Sequence, residues 1–74
     1  MKALVVGGGS IGRRHLRNLK TLAVGQLAIV ERDAQRRRDL TQESDAWGFG
    51  DLESGLDWAP DFVVIATPTH LHAG

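Results

Sequence analysis

Four short apolar runs punctuate the chain: Ala3-Leu4-Val5-Val6, Leu27-Ala28-Ile29-Val30, Ala46-Trp47-Gly48-Phe49 and Phe62-Val63-Val64-Ile65-Ala66. They are too short and, in the first and last cases, too rich in β-branched residues for buried helices, so each reads as a strand. Ala3–Val6 suits a strand buried on both faces of a parallel sheet, Phe62–Ala66 a central one, and Trp47 and Phe49 share a face of an edge strand by the two-residue period. Between the first two runs the period changes to that of a helix, from Ser10 or Ile11 to about Ala23, with Ile11, His15 or Leu16, Leu19 and Leu22 as its inward stripe. Arg13, Arg14, Arg17 and Lys20 fall on the other side, and Gly25 stops the helix. Asp33 caps a second helix from Ala34 to about Glu43, whose only apolar residues are Ala34 and Leu40, so it is expected to be the most loosely held element. Asp51 caps a single further turn through Leu52 and Leu56.

Strands that alternate with helices call for a parallel sheet with helices on both faces. Handedness and the order of doubly wound sheets place the fourth strand beside the first, away from the second, giving spatial order 3-2-1-4. The crevice between strands one and four is then the switch point, where a ligand binds.

The chemistry begins where the first strand ends. Gly7, Gly9 and Gly12 have the G-x-G-x-x-G spacing between strand and helix. Gly7 allows the tight turn, Gly9 carries no side chain to keep a pyrophosphate from the backbone, and Gly12 lets the helix lie close to the sheet. Phosphates would face the first amides of the helix, at its positive dipole end, with Ser10 adding a hydroxyl. Glu31 follows the second strand directly and comes 19 positions after Gly12, the place of an acid that accepts hydrogen bonds from both ribose hydroxyls. Its charge would repel a 2′-phosphate and argues for NAD over NADP. Arg32 beside it keeps NADP open, since a guanidinium can stack on adenine or pair with that phosphate.

Thr67-Pro68-Thr69-His70-Leu71-His72 leaves the fourth strand at the same edge, over the cofactor site. The two histidines there do not make a metal site, because no cysteine and no third ligand stand nearby. His15 reads as a helix histidine packed against the turn, since nothing near it supplies a second catalytic group.

Nine basic and nine acidic residues cancel, so no bulk field draws the chain to nucleic acid or membrane. The run Arg36-Arg37-Arg38 is offset by Glu31, Asp33, Asp39, Glu43 and Asp45, and reads as a solvated helix face. There is no cysteine and no apolar run of transmembrane length, which makes the cytoplasm the expected location. The 74 residues hold about one βαβαβ half of a dinucleotide-binding fold. The expectation is a partial domain that belongs to a longer enzyme or pairs its exposed sheet edge with another copy.

Gly7-Gly8-Gly9-Ser10-Ile11-Gly12-Arg13-Arg14-His15 resembles the opening of the Gfo/Idh/MocA oxidoreductases, whose fingerprint has a histidine three places after the last glycine. Val63-Val64-Ile65-Ala66-Thr67-Pro68-Thr69-His70-Leu71-His72 resembles that family's second signature, a strand ending in Ala-Thr-Pro with a histidine soon after. The resemblance implies a partial Rossmann-type α/β sheet. It puts Gly7, Gly9, Ser10, Ile11 and Gly12 around the pyrophosphate, Glu31 and Arg32 at the adenosine ribose, and Thr67, Pro68 and His72 along the rest of NAD, with NADP as the alternative. It also implies hydride transfer on a sugar, inositol or related polyol. The family's catalytic lysine, in a Glu-Lys-Pro segment, and its substrate domain have no counterpart in residues 1–74, so no catalytic residue is assigned and no turnover is expected from these residues alone. The alternative is a non-catalytic nucleotide sensor that acts through oligomerisation, which uses the glycine turn and Glu31 but not Thr67 or His72.

Overall fold

The computed structural model describes residues 1–7, 9–22 and 25–66. Their order is β1 (Lys2–Val6), α1 (Gly9–Thr21), β2 (Gln26–Val30), α2 (Ala34–Ser44), β3 (Trp47–Phe49), α3 (Leu52–Asp57) and β4 (Phe62–Ile65). The strands form one parallel sheet in the order β3-β2-β1-β4, as the sequence predicts. Leu4 stands between Ala28 on β2 and Val63 on β4, and that register fixes which side chains share a face.

One face carries Ala3, Val5, Leu27 and Ile29, covered by Leu16 of α1 and Leu40 of α2. The other carries Leu4, Ala28 and Val30, with Phe49 and Trp58 packed beside them. There α3 lies so close that a Cβ on Gly55 would come within 2.7 Å of Val30 Cγ2 and 3.1 Å of Leu4 Cδ2. Crossovers of one hand require this division, because the chain reverses its direction across the sheet after β3.

Several expected positions differ. The inward stripe of α1 is Gly12, Leu16 and the half-buried His15 and Leu19, whereas Ile11 is 42% exposed and Leu22 72% exposed. Gly12 occupies the sheet-facing place in the first turn, so Ile11, one residue earlier, is rotated off it. Leu22 follows the last helical residue, Thr21, and Ala23 lies outside the described residues. The turn expected through Leu52 and Leu56 is present as α3, which turns Gly55 inward and leaves both leucines about half exposed.

The central place expected for Phe62–Ala66 is also corrected: β4 is an outer strand of the described sheet, with Val63 and Ile65 exposed on the α3 face. The outer place follows from the strand order itself, and the exposure from α3, which lies over Val30 and Leu4 and leaves β4 uncovered on that side. Its entry is held at the far end of the sheet. Lys2 N–H donates to Asp61 Oδ2 at 2.6 Å, Asp61 N–H donates back to Lys2 O, and Lys2 Nζ donates to Trp58 O at 3.0 Å. The same ammonium lies 5.1 Å from the Trp58 ring centroid, within cation–π range.

Candidate dinucleotide-binding site

The carboxyl ends of β1 and β2 meet at one point. Gly7 leaves β1 with φ at 100°, a conformation open to glycine, and its N–H donates to Val30 O at 3.0 Å. Two residues later α1 begins, and Gly12 returns to the turn so closely that an added Cβ would overlap the Gly7 carbonyl oxygen. Ile29 Cδ1 would lie 3.6 Å from the same Cβ. Gly12 is therefore the residue that lets helix, turn and sheet pack together, as its place in the spacing predicts.

The first turn of α1 holds no acidic residue, and Ser10 and Ile11 are exposed on it. The leading amides of a helix have no partner within it, so this end offers donors and partial positive charge. Gly8 lies outside the described residues.

At the end of β2, Glu31 is 9% exposed and held at three points. Its N–H donates to Phe49 O at 3.0 Å, its carbonyl accepts from Arg37 Nη1 at 2.8 Å, and its Oε2 accepts from Asp33 N–H at 2.9 Å. With Val6, Gly7, Val30 and exposed Arg32, Glu31 lines a cleft of about 190 Å³. The structure thus brings Gly7, Glu31 and Arg32 together, one strand across from the helix that carries Ser10, Ile11 and Gly12. These residues suit the adenosine end of a dinucleotide: the Glu31 carboxylate stands beside the cleft that Gly7 lines, and the leading amides of α1 open next to the same strand end.

Thr67, Pro68 and His72, with Thr69 and His70, lie outside the described residues. Ala66 is buried, and its N–H donates to Val6 O at 2.8 Å beside the cleft. Among the described residues no group of three His, Asp or Glu side chains is placed to hold a metal, and no helix is long and apolar enough to cross a membrane.

Sequence reasoning missed Arg37, which the charge run placed in solvent. It is half-buried, and a Cβ on Gly48 would come within 2.9 Å of its Cγ and 3.2 Å of its Cδ. The signal was available in the helical period: Arg37, Leu40, Thr41 and Ser44 lie on one stripe of α2, the stripe that carries the buried Leu40 and Ser44.

Both predicted caps are present. Asp33 Oδ1 accepts from Arg36 N–H at 2.9 Å, and Asp51 Oδ1 accepts from Ser54 N–H at 2.7 Å. The Arg36 N–H holds the Asp33 carboxyl below its ordinary 3.8, against some desolvation, with smaller help from the Gln35 N–H and the Arg36 and Arg37 charges. The N–H and hydroxyl of Ser54 do the same for Asp51. A depressed folded value means that the stabilisation is fully present above about pH 4 and is lost as pH falls through that lower value. Thermal melts between pH 6 and pH 2.5 should therefore show a falling Tm below about pH 4. The slope should flatten in the Asp33→Asn, Asp51→Asn double variant, which keeps cap acceptors that do not titrate. An equal slope in both proteins refutes the assignment.

Parallel strands whose order of addition reverses beside β1, with a helix springing from a glycine turn at that point, define the class: this is a Rossmann-type α/β domain. Over residues 1–74 the chain matches the family model GFO_IDH_MocA, described as the oxidoreductase family, NAD-binding Rossmann fold. The chain belongs to that family, and NAD(P) binding comes with it. No curated protein and no solved structure matches the chain.

Proposed function

We propose that the chain binds NAD in preference to NADP and serves an oxidoreductase that transfers hydride to or from a carbon of a sugar, inositol or related polyol. The observation that carries the cofactor choice is the Glu31 carboxylate, held by Asp33 N–H at the mouth of the cleft that Gly7 lines. A carboxylate in that place accepts from the ribose hydroxyls and meets a 2′-phosphate with like charge. Gly7, Gly9, Ser10, Ile11 and Gly12 take the pyrophosphate through backbone donors. Arg32 lies along the adenosine, and Thr67, Pro68 and His72 serve the nicotinamide half. The nicotinamide, when bound, supplies the hydride acceptor or donor. The residues of this chain orient it and hold its phosphates.

The polyol substrate is carried by the resemblance of the glycine turn and the Ala66-Thr67-Pro68 segment alone. A cytoplasmic location accords with a chain that has no cysteine. Pairing of the exposed β4 edge with a second copy would satisfy its free backbone N–H and C=O groups, and sedimentation at micromolar concentration reads that pairing directly.

Calorimetric titration with NADH and NADPH tests the cofactor reading. Glu31→Ala should weaken NADH about ten- to a hundredfold, the worth of roughly 1.5–3 kcal/mol for hydrogen bonds to a charged group. It should leave NADPH unchanged or tighter. Equal loss of both cofactors, or no binding of either by the unaltered protein at millimolar concentration, removes the reading.

A further inference from the structure

We propose that Arg37 is a positioning residue for Glu31 and thereby a determinant of the preference for NAD over NADP, an inference that rests on the ribose role given to Glu31 above. Arg37, on α2, ties the Glu31 carbonyl to that helix and lies against Gly48 of β3. Its own N–H donates to Asp33 O at 2.9 Å and closes the first turn of α2. Its Nη1 donates to Glu31 O at 2.8 Å, a charge-assisted bond onto the peptide that follows the ribose acid. Its stem lies along β3 where Gly48 provides the room, since a Cβ there would meet both Arg37 Cγ and Thr41 Cγ2, at 2.9 and 2.7 Å. Gly50 provides room for the head, because a Cβ on it would stand 3.2 Å from Nη1.

These contacts have a consequence for Glu31. Asp33 N–H binds Oε2 and so sets the direction of the carboxylate, and the Arg37 guanidinium fixes the carbonyl of Glu31 on the same three-residue segment. With the backbone of Glu31 clamped from Phe49 O on one side and Arg37 on the other, the carboxylate is ordered before a ribose arrives. Ordering in advance removes an entropic cost from binding. It also denies the carboxylate the freedom to swing away from a 2′-phosphate. Loss of the guanidinium should thus weaken the cofactor that needs Glu31 in place and spare the one that Glu31 repels.

The test is Arg37→Met, which keeps a stem over Gly48 and removes the donor, with Arg37→Lys as the conservative partner. Three readings are taken: Tm, the amide proton shift of Asp33, and calorimetric affinities for NADH and NADPH, each also in a Glu31→Ala background. The expected result is an upfield shift of the Asp33 amide proton in Arg37→Met. NADH affinity should fall about three- to tenfold, the worth of one hydrogen bond, with NADPH unchanged or tighter. Arg37→Lys should recover part of both changes, and Arg37→Met should have no further effect on NADH once Glu31 is alanine. Equal losses of the two cofactors, a larger loss for NADPH, or additive effects with Glu31→Ala would overturn the proposal. An unmoved Asp33 proton overturns it without reference to any cofactor. Failure of the unaltered protein to bind NADH, by contrast, strikes the ribose reading of Glu31 and is seen separately from the Asp33 shift.

Discussion

Gly12→Val is expected to abolish dinucleotide binding and to lower the melting temperature of the protein. The first side-chain carbon at position 12 would fall on the carbonyl oxygen of Gly7, and backbone at that contact cannot swing aside as a flexible side chain does. Two relaxations are open. The helix can lift from the sheet, which uncovers Leu16 and Ile29, or the Gly7 turn can move, which gives up its 3.0 Å bond to Val30 O. Either displaces the leading amides of α1 from the strand end where the phosphates would lie. Forced overpacking of this kind costs about 1–3 kcal/mol. In a domain of this size each kcal/mol is worth roughly 4–8 °C in Tm. Calorimetry with NADH and a thermal melt check both parts. Wild-type affinity in a folded Gly12→Val protein would show that the helix does not need its close approach.

Leu40→Ala should be the most damaging change on α2, by about 2–5 kcal/mol, the range for truncating a buried leucine. Leu40 is fully buried, and it is the one apolar side chain by which this helix enters the core. Ala34, the other apolar residue in the helix, lies exposed. What else holds α2 is polar: the Asp33 cap, the Arg37 head on Glu31 O, and an exposed ion pair from Arg13 Nε to Glu43 Oε1 at 3.1 Å, which is worth little in water. A small domain has only a few kcal/mol of net stability, so the loss should leave a large unfolded fraction. Because Asp33 and Arg37 ride on α2, NADH affinity should fall in the fraction that remains folded. Denaturant unfolding with far-UV detection measures the first effect and titration the second. A cost below about 1 kcal/mol would mean that the site collapses around the missing atoms.

How far the residues themselves disclosed this arrangement depends on how local the cause was. The run Ala3–Val6 passing into Gly7, Gly9 and Gly12 could be read as strand, turn and helix, because strand burial, positive φ and close packing act within a few residues. The caps at Asp33 and Asp51 were legible for the same reason, each reaching an amide three positions on. Ile11 is exposed where the stripe places it inward, because apolar periodicity marks a face without saying which glycine will occupy the closest approach. Gly12 takes that inward place. Arg37 escaped notice because charge counting treats a guanidinium as solvated, while its aliphatic stem can cover backbone when glycines stand opposite.

The amino-acid order by itself determined the parallel α/β class, the strand order β3-β2-β1-β4 and the place of Glu31 at a strand end beside the glycine turn. Those follow from periodicity, chain length and the handedness of crossovers, which are properties of short segments and their sequence. Only the tertiary structure decided that Gly12 sits against Gly7 O, that α3 leaves Val63 and Ile65 bare, and that Arg37 reaches from α2 across Gly48 to the carbonyl of Glu31. Such contacts join residues on different elements, and their existence depends on how closely the elements pack in space.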